Sequence, residues 1–160
     1  MVSKHELDEL IRIAVDAKLE GVDFLSRFTY EQLADGYNGI GPEFLPPLLR
    51  EKVSEFLHIF KPAAVGHDLR NEFSDGTREG FNAANEEFYR NCLRLADWHY
   101  PWYSRDRYRA RAAALILYAF VSAEFFGWRA WQEAQKRHAA KMASGNSVWN
   151  TTTPKHKETQ

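Results

Sequence analysis

Apolar residues in this chain recur at helical spacing over most of its 160 residues, and strand-like alternation is nearly absent. The clearest case is a segment in which apolar side chains return every three or four positions: Phe81, Ala84, Phe88, Cys92 and Leu95. Residues at this spacing lie on one face of an α-helix and can be buried together. The pattern therefore predicts an all-α fold.

Turn-forming residues divide the chain into several predicted helices. Gly21 ends the first helix, and Pro62 begins a later one, because proline is accepted in a first helical turn. A loop rich in glycine and proline over 37–47 separates the early helices from the middle of the chain. Helices are predicted over 6–20, 30–34, 48–60, 63–73, 81–96 and 105–141.

These elements predict one small helical domain over residues 1–143. Two antiparallel helices, at about 62–73 and 78–96, form its expected core, with the Gly/Pro loop before them and a long helix at the C-terminal end. Residues 144–160 are rich in Asn, Thr and Lys and are predicted to be a disordered polar tail.

Composition excludes some classes of protein. Hydrophobic residues make up 44% of the chain, which is enough for a packed core, and the formal net charge of -1 argues against a general nucleic-acid binder. Cys92 is the only cysteine, so no intrachain disulfide can form. Acidic residues occupy the place where a signal peptide has its apolar stretch, and a cytoplasmic or virion-associated protein is expected.

The most apolar segment, 112–128, has arginines on both sides and contains Glu124. A bilayer core requires about 20 apolar residues, which is more than this segment offers. We therefore expect a core helix here rather than a membrane span. A small membrane-associated helical protein built around this segment is a further alternative.

Three short motifs follow one another in the middle of the chain. They are Tyr37-Asn38-Gly39-Ile40-Gly41, then Ala63-Ala64-Val65-Gly66-His67-Asp68, then Ala84-Asn85-Glu86-Glu87-Phe88. In order and spacing they resemble the phospholipase A2 core, particularly its short, cysteine-poor versions in viral capsid proteins and prokaryotes. The resemblance covers residues 37–92, a little over a third of the chain.

The resemblance implies Ca²⁺-dependent hydrolysis of a lipid ester. His67 would be the general base that activates water, and Asn85 would orient it from the facing helix. Asp68 would bind Ca²⁺ together with main-chain carbonyls of Tyr37, Gly39 and Gly41, in line with the preference of this ion for oxygen ligands.

Two positions depart from the family pattern. Asn85 aligns with the family's orienting acid, and Asn71 aligns with its usual tyrosine. Asparagine can hold an imidazole tautomer, but it cannot stabilise an imidazolium by charge, and the corresponding change in a serine protease lowers turnover by roughly 10⁴. A non-catalytic, phage- or virion-associated binding module on the same scaffold is therefore the alternative. In the simplest alternative, His67 and the nearby asparagines form an ordinary polar seam between two helices.

The His-Asp pair also suggests two weaker metal-site hypotheses. One is a phosphohydrolase of the HD type with His58 and His99 as further ligands. The other is a zinc site from His58, His67 and His99, although no His-x₃-His or Cys-pair spacing supports it.

Aromatic and basic residues interleave after the second core helix. Trp98, Trp102 and Tyr103 alternate with arginines that include Arg105 and Arg107. Such a surface can dock on a phospholipid headgroup or membrane surface. The alternative is an aromatic corner that packs two helices while the arginines reach solvent.

Overall fold

The structure is a computed structural model that describes residues 2–37, 47–145 and 148. Over these residues the fold is all-α without strands, which confirms the predicted class. The helices are α1 (Lys4–Asp16), α2 (Val22–Leu25), α3 (Tyr30–Gly36), α4 (Pro47–Glu72), α5 (Arg78–His99), α6 (Arg105–Val121) and α7 (Arg129–Ala143), with a π-helical turn at Glu124–Trp128. Most of the predicted polar tail lies outside the described residues.

The two predicted core helices are present and form the centre of the fold. Thr77 begins α5 by accepting a hydrogen bond from the backbone N–H of Gly80 at 3.0 Å. The main core lies where α4, α5 and α6 pack together, and its largest buried members include Phe56, Phe60, Phe88, Leu95 and Leu117. A second cluster joins α1 to the other side of α4 through Leu7, Leu10, Val65 and Leu69.

The first helix is shorter than predicted. It ends at Asp16 because Lys18 and Gly21 adopt left-handed backbone angles, with φ of 53° and 81°. The side chain of Asn91 on α5 holds this turn. It accepts from the Glu20 N–H at 2.7 Å and donates to the Glu20 carbonyl at 3.0 Å.

Pro62 does not begin a new helix, as the sequence predicted. It lies inside α4, a single helix of 26 residues. A proline in a helix interior removes one hydrogen bond and clashes with the preceding turn, at a cost of about 3 kcal/mol. The residues on both sides of it, Ile59, Phe60, Ala63 and Ala64, are all buried, so their packing offsets the cost of the proline and the helix continues through it.

The long C-terminal helix of the prediction is present as a helical segment with a bend. α6 and the segment Glu124–Ala143 meet at an angle of 59°. At the bend the backbone of Gly127 approaches α6 so closely that an added Cβ would overlap the carbonyl oxygen of Val121.

No single helix in the described part of the chain is both long and apolar enough to cross a membrane. The bent pair Arg105–Val121 and Glu124–Ala143 meets the criteria of length and composition only when the two helices are taken together.

Candidate functional site

His67 and Asn85, which the resemblance to phospholipase A2 places on facing helices, are in direct contact. His67 Nε2 lies 2.9 Å from Asn85 Oδ1, across the interface between α4 and α5. The imidazole ring also packs against Phe88, with 4.7 Å between ring centroids. The His67 side chain is only 11% exposed, so the contact is largely protected from water.

The orientation of the Asn85 amide follows from its second partner. Its Nδ2 donates to the main-chain carbonyl of Val121 at 3.3 Å, and a carbonyl oxygen can only accept. The amide oxygen therefore faces His67 and accepts from it. In the neutral imidazole this places the proton on Nε2 and leaves Nδ1 as an acceptor.

The acceptor nitrogen lies on the side of Asp68 and Asn71. Asp68 Oδ1 is 3.9 Å from His67 Nδ1, and Asn71 Nδ2 makes a long contact of 3.5 Å with it. A proton donor next to Nδ1, such as a water molecule, would therefore have a carboxylate and an amide as neighbours.

The phenol of Tyr37 is close enough to Asp68 and Glu6 for their charges to act on it, whereas the calcium hypothesis concerns the main-chain carbonyl of Tyr37. Burial, followed by the negative charges of Asp68 and Glu6, raises the pKa of the Tyr37 phenol to about 12. Gly39 and Gly41, the other predicted ligands, lie outside the described residues.

Calcium prefers oxygen ligands, and Asp68 supplies one hard carboxylate. Within residues 2–37 and 47–145, no three His, Cys, Asp or Glu side chains come together as a metal site. The donor set thus fits Ca²⁺ only if main-chain carbonyls complete it.

A cavity of about 420 Å³ opens beside His67. Its polar wall consists of His67, Asp68, Asn71 and Asn85. The rest is mainly apolar and comes from Ala64, Phe81, Phe88, Leu117, Phe120, Val121, Phe125, Phe126, Gly127 and Ala130, with Arg129 beside them. Phe125 and Phe126 are 64% and 45% exposed, which places them at the mouth. An apolar cavity with a few convergent polar groups is typical of a site for a small apolar ligand.

Sequence reasoning missed most of this lining. Segment 112–128 was predicted to be a core helix, but its C-terminal part bends and forms the cavity wall. The one sequence feature that could have indicated the bend is Gly127 inside an otherwise apolar helical pattern. π-Helical turns such as the one at Glu124–Trp128 are frequent at functional sites.

His58 and His99 do not belong to this site. They are exposed and neighbour each other, with 6.1 Å between ring centroids. His58 and His67 are nine residues apart on α4, which separates them by about 13 Å along the helix axis. The structure therefore does not support a zinc site shared by all three histidines, nor does it connect His58 and His99 with the His-Asp pair.

The aromatic and basic segment forms a corner between α5 and α6. Trp98, Trp102 and Tyr103 are 49%, 73% and 71% exposed. Arg107 binds Asp97 at 2.7 Å, so the charge of Arg107 is balanced within the protein. Arg105 is exposed. This corner lies at the N-terminal end of α6 and the cavity at its other end, about 25 Å away.

Comparisons with family models, curated proteins and solved structures find no match to this chain. The protein is therefore defined by its own structure, which is all-α and has a His-Asn pair at the wall of an apolar cavity. The resemblance of residues 37–92 to phospholipase A2 stays a prediction.

Proposed function

We propose that the protein hydrolyses a lipid ester in a phospholipase A2-like reaction, with His67 as the general base. The observation that carries the proposal is the contact of 2.9 Å between His67 Nε2 and Asn85 Oδ1. It leaves Nδ1 as a proton acceptor at the wall of a cavity that suits an acyl chain.

The reaction needs only one proton acceptor from the side chains. Nδ1 of His67 takes a proton from a water molecule, whose oxygen bonds to the ester carbonyl carbon. The bond from that carbon to the alcohol oxygen then breaks, and the proton passes from Nδ1 to the leaving alcohol. Asn85 keeps the ring oriented throughout, but it adds no charge to stabilise the imidazolium, so turnover is expected to be slow.

We propose calcium as the cofactor of this reaction, as the resemblance implies. Asp68 and the carbonyls of Tyr37, Gly39 and Gly41 would hold it. When bound, such an ion polarises an ester carbonyl and stabilises the oxyanion.

His67→Gln tests the proposal. General-base catalysis contributes roughly 10²- to 10⁴-fold, so we expect a loss of that size in the hydrolysis of short-chain phospholipid, with the helical circular dichroism unchanged. His99→Gln, at an exposed histidine away from the cavity, is the matched control. If His67→Gln hydrolyses the ester as fast as the wild type, His67 is not the base.

The proposed binding of Ca²⁺ by Asp68 is tested separately. Ca²⁺ should raise the melting temperature of the wild type, and this shift should disappear in Asp68→Asn, because a ligand that binds only the folded state stabilises it. An equal shift in both proteins would remove Asp68 from the ligand set.

A second candidate is a non-catalytic module that binds an apolar ligand in the same cavity. The uncharged Asn85 favours this module, because its side chain donates a hydrogen bond to the Val121 carbonyl, as a structural residue does. A fatty acid that binds the wild-type protein and His67→Gln equally, with no ester hydrolysis by either, would support this module.

A further inference from the structure

We infer that the main-chain carbonyl of Val121 orients Asn85 and, through it, His67, and that the absence of a side chain at Gly127 leaves room for this carbonyl. Val121 and Gly127 would thus be positioning residues of the site. Their effect on hydrolysis rests on the proposed function, but their effect on the His67 ring does not.

The Val121 carbonyl is available because of the bend after α6. Val121 is the last residue of α6, and the final four carbonyls of an α-helix lack partners within the helix. Past the bend, Ala123 accepts hydrogen bonds from Gly127 N–H at 2.8 Å and Trp128 N–H at 3.4 Å. The Asn85 side chain donates to Val121 from the neighbouring helix α5.

This partner explains why position 85 carries an amide. Asn85 is 1% exposed and must accept from His67 on one side while it donates to Val121 on the other. A carboxylate has acceptors only, so an ionised acid would direct an oxygen at the Val121 carbonyl. Position 85 therefore requires a group with both a donor and an acceptor, and asparagine meets that requirement.

Gly127 permits the close approach of the bend to α6. An added Cβ would overlap the Val121 oxygen, and because a Cβ is fixed rigidly to the backbone and the oxygen belongs to it, no side-chain rotation relieves the overlap. Gly127→Ala must therefore move the Val121 carbonyl apart from the bend, and we expect this to disturb the carbonyl that Asn85 binds. Gly66 offers a matched control beside His67, since a Cβ there meets nothing within 4 Å.

The test is the imidazole N–H proton of His67, followed by nitrogen-correlated NMR in the full-length protein. In the wild type and in Gly66→Ala we expect a resonance on Nε2 that is protected from exchange with water. In Gly127→Ala we expect this protection to be lost, with a reduction of at least about tenfold in ester hydrolysis. A protected signal in Gly127→Ala would overturn the inference.

Asn85→Asp provides a second test that does not depend on how Gly127→Ala folds. We expect the melting temperature to fall by several degrees and hydrolysis not to rise, whereas Asn82→Asp, at an exposed position of α5, should change neither. Faster hydrolysis by Asn85→Asp, or an unchanged melting temperature, would show that the hydrogen bond to the Val121 carbonyl does not require an amide at position 85. If the wild type hydrolyses nothing, but the N–H signal responds to Gly127→Ala as expected, the proposed function fails and the positioning inference stands.

Discussion

The two ends of α6 place aromatic side chains in opposite environments. At its N-terminal end, Trp102 and Tyr103 project into solvent beside Arg107, which is paired with Asp97. At its C-terminal end the helix stops, the chain bends by 59°, and aromatic residues from several elements enclose a cavity next to His67. Similar residue types thus form a surface at one end and a site at the other.

The difference shows that exposure and long-range packing decide what an aromatic residue does. The corner is continuous in sequence and is visible as a motif, and its rings are largely exposed. The cavity draws its lining from α4, α5, α6 and the chain past the bend, so no short motif contains it. Three predictions test this contrast.

The largest expected difference is in the free energy of unfolding. It compares the removal of one aromatic ring beside the C-terminal end of α6 with the removal of one at the corner. Phe81 is 2% exposed and packs edge to face on Trp128 and Trp131, with ring centroids 5.2 and 5.5 Å away. Phe81→Ala should lower the free energy of unfolding by about 3–5 kcal/mol, because it removes buried contacts and leaves a void. Trp102→Ala, at an exposed ring, should stay within about 0.5 kcal/mol of the wild type.

Urea unfolding measures both values, provided that the m-value is unchanged. Equal losses in the two variants would mean that the ends of α6 do not differ as the structure indicates.

The next prediction concerns lipid contact, which is one of the two interpretations that the sequence leaves open for the corner. Replacing Trp102 and Tyr103 together by Ser should weaken binding to phosphatidylcholine vesicles by at least about tenfold, since two large apolar rings no longer leave water. The matched pair is Phe125→Ser with Phe126→Ser at the cavity mouth, which should lower hydrolysis of a soluble ester more than vesicle binding. Vesicle co-sedimentation and the ester assay report the two effects separately. If only the mouth variant loses vesicle binding, the docking surface lies at the cavity.

Much of the fold was predictable because local patterns determine it. The apolar spacing of 81–96 and the capping residue Thr77 correspond closely to α5. The contact of His67 with Asn85 depends on how α4 packs on α5, and only the family resemblance, not the local pattern, suggested it. Pro62 was misinterpreted because a local rule was applied where burial on both sides of the residue outweighs it.

The candidate site was predictable only in part. Its polar wall lies on two helices that are consecutive in the chain, so short motifs report it. The partner of Asn85 is a backbone carbonyl 36 residues away. Every residue has such a carbonyl, so the sequence does not single this one out. The bend that makes it available depends on the close approach of Gly127 to α6, which only the packed structure shows.

The smallest expected effect comes from the ion cluster of the corner. Arg107 and Arg111 bind Asp97 at 2.7 and 2.8 Å. Burial alone would raise the pKa of Asp97, but the hydrogen bonds and charges of the two arginines outweigh it and lower the pKa below its ordinary value of 3.8. The folded state therefore holds this proton less strongly than the unfolded state. The resulting stabilisation is present above about pH 4 and is lost as the pH falls through the folded pKa.

Asp97→Asn should accordingly cost less than about 1 kcal/mol at neutral pH, because the carboxylate is 37% exposed and solvent screens it. The loss should shrink at 1 M salt, where the screening length is about 3 Å, and it should vanish once the pH lies below the folded pKa of Asp97. Urea unfolding at several pH values measures it, with the exposed Asp8→Asn as the control. A loss that is independent of pH and salt would mean that packing, rather than charge, holds this end of α6.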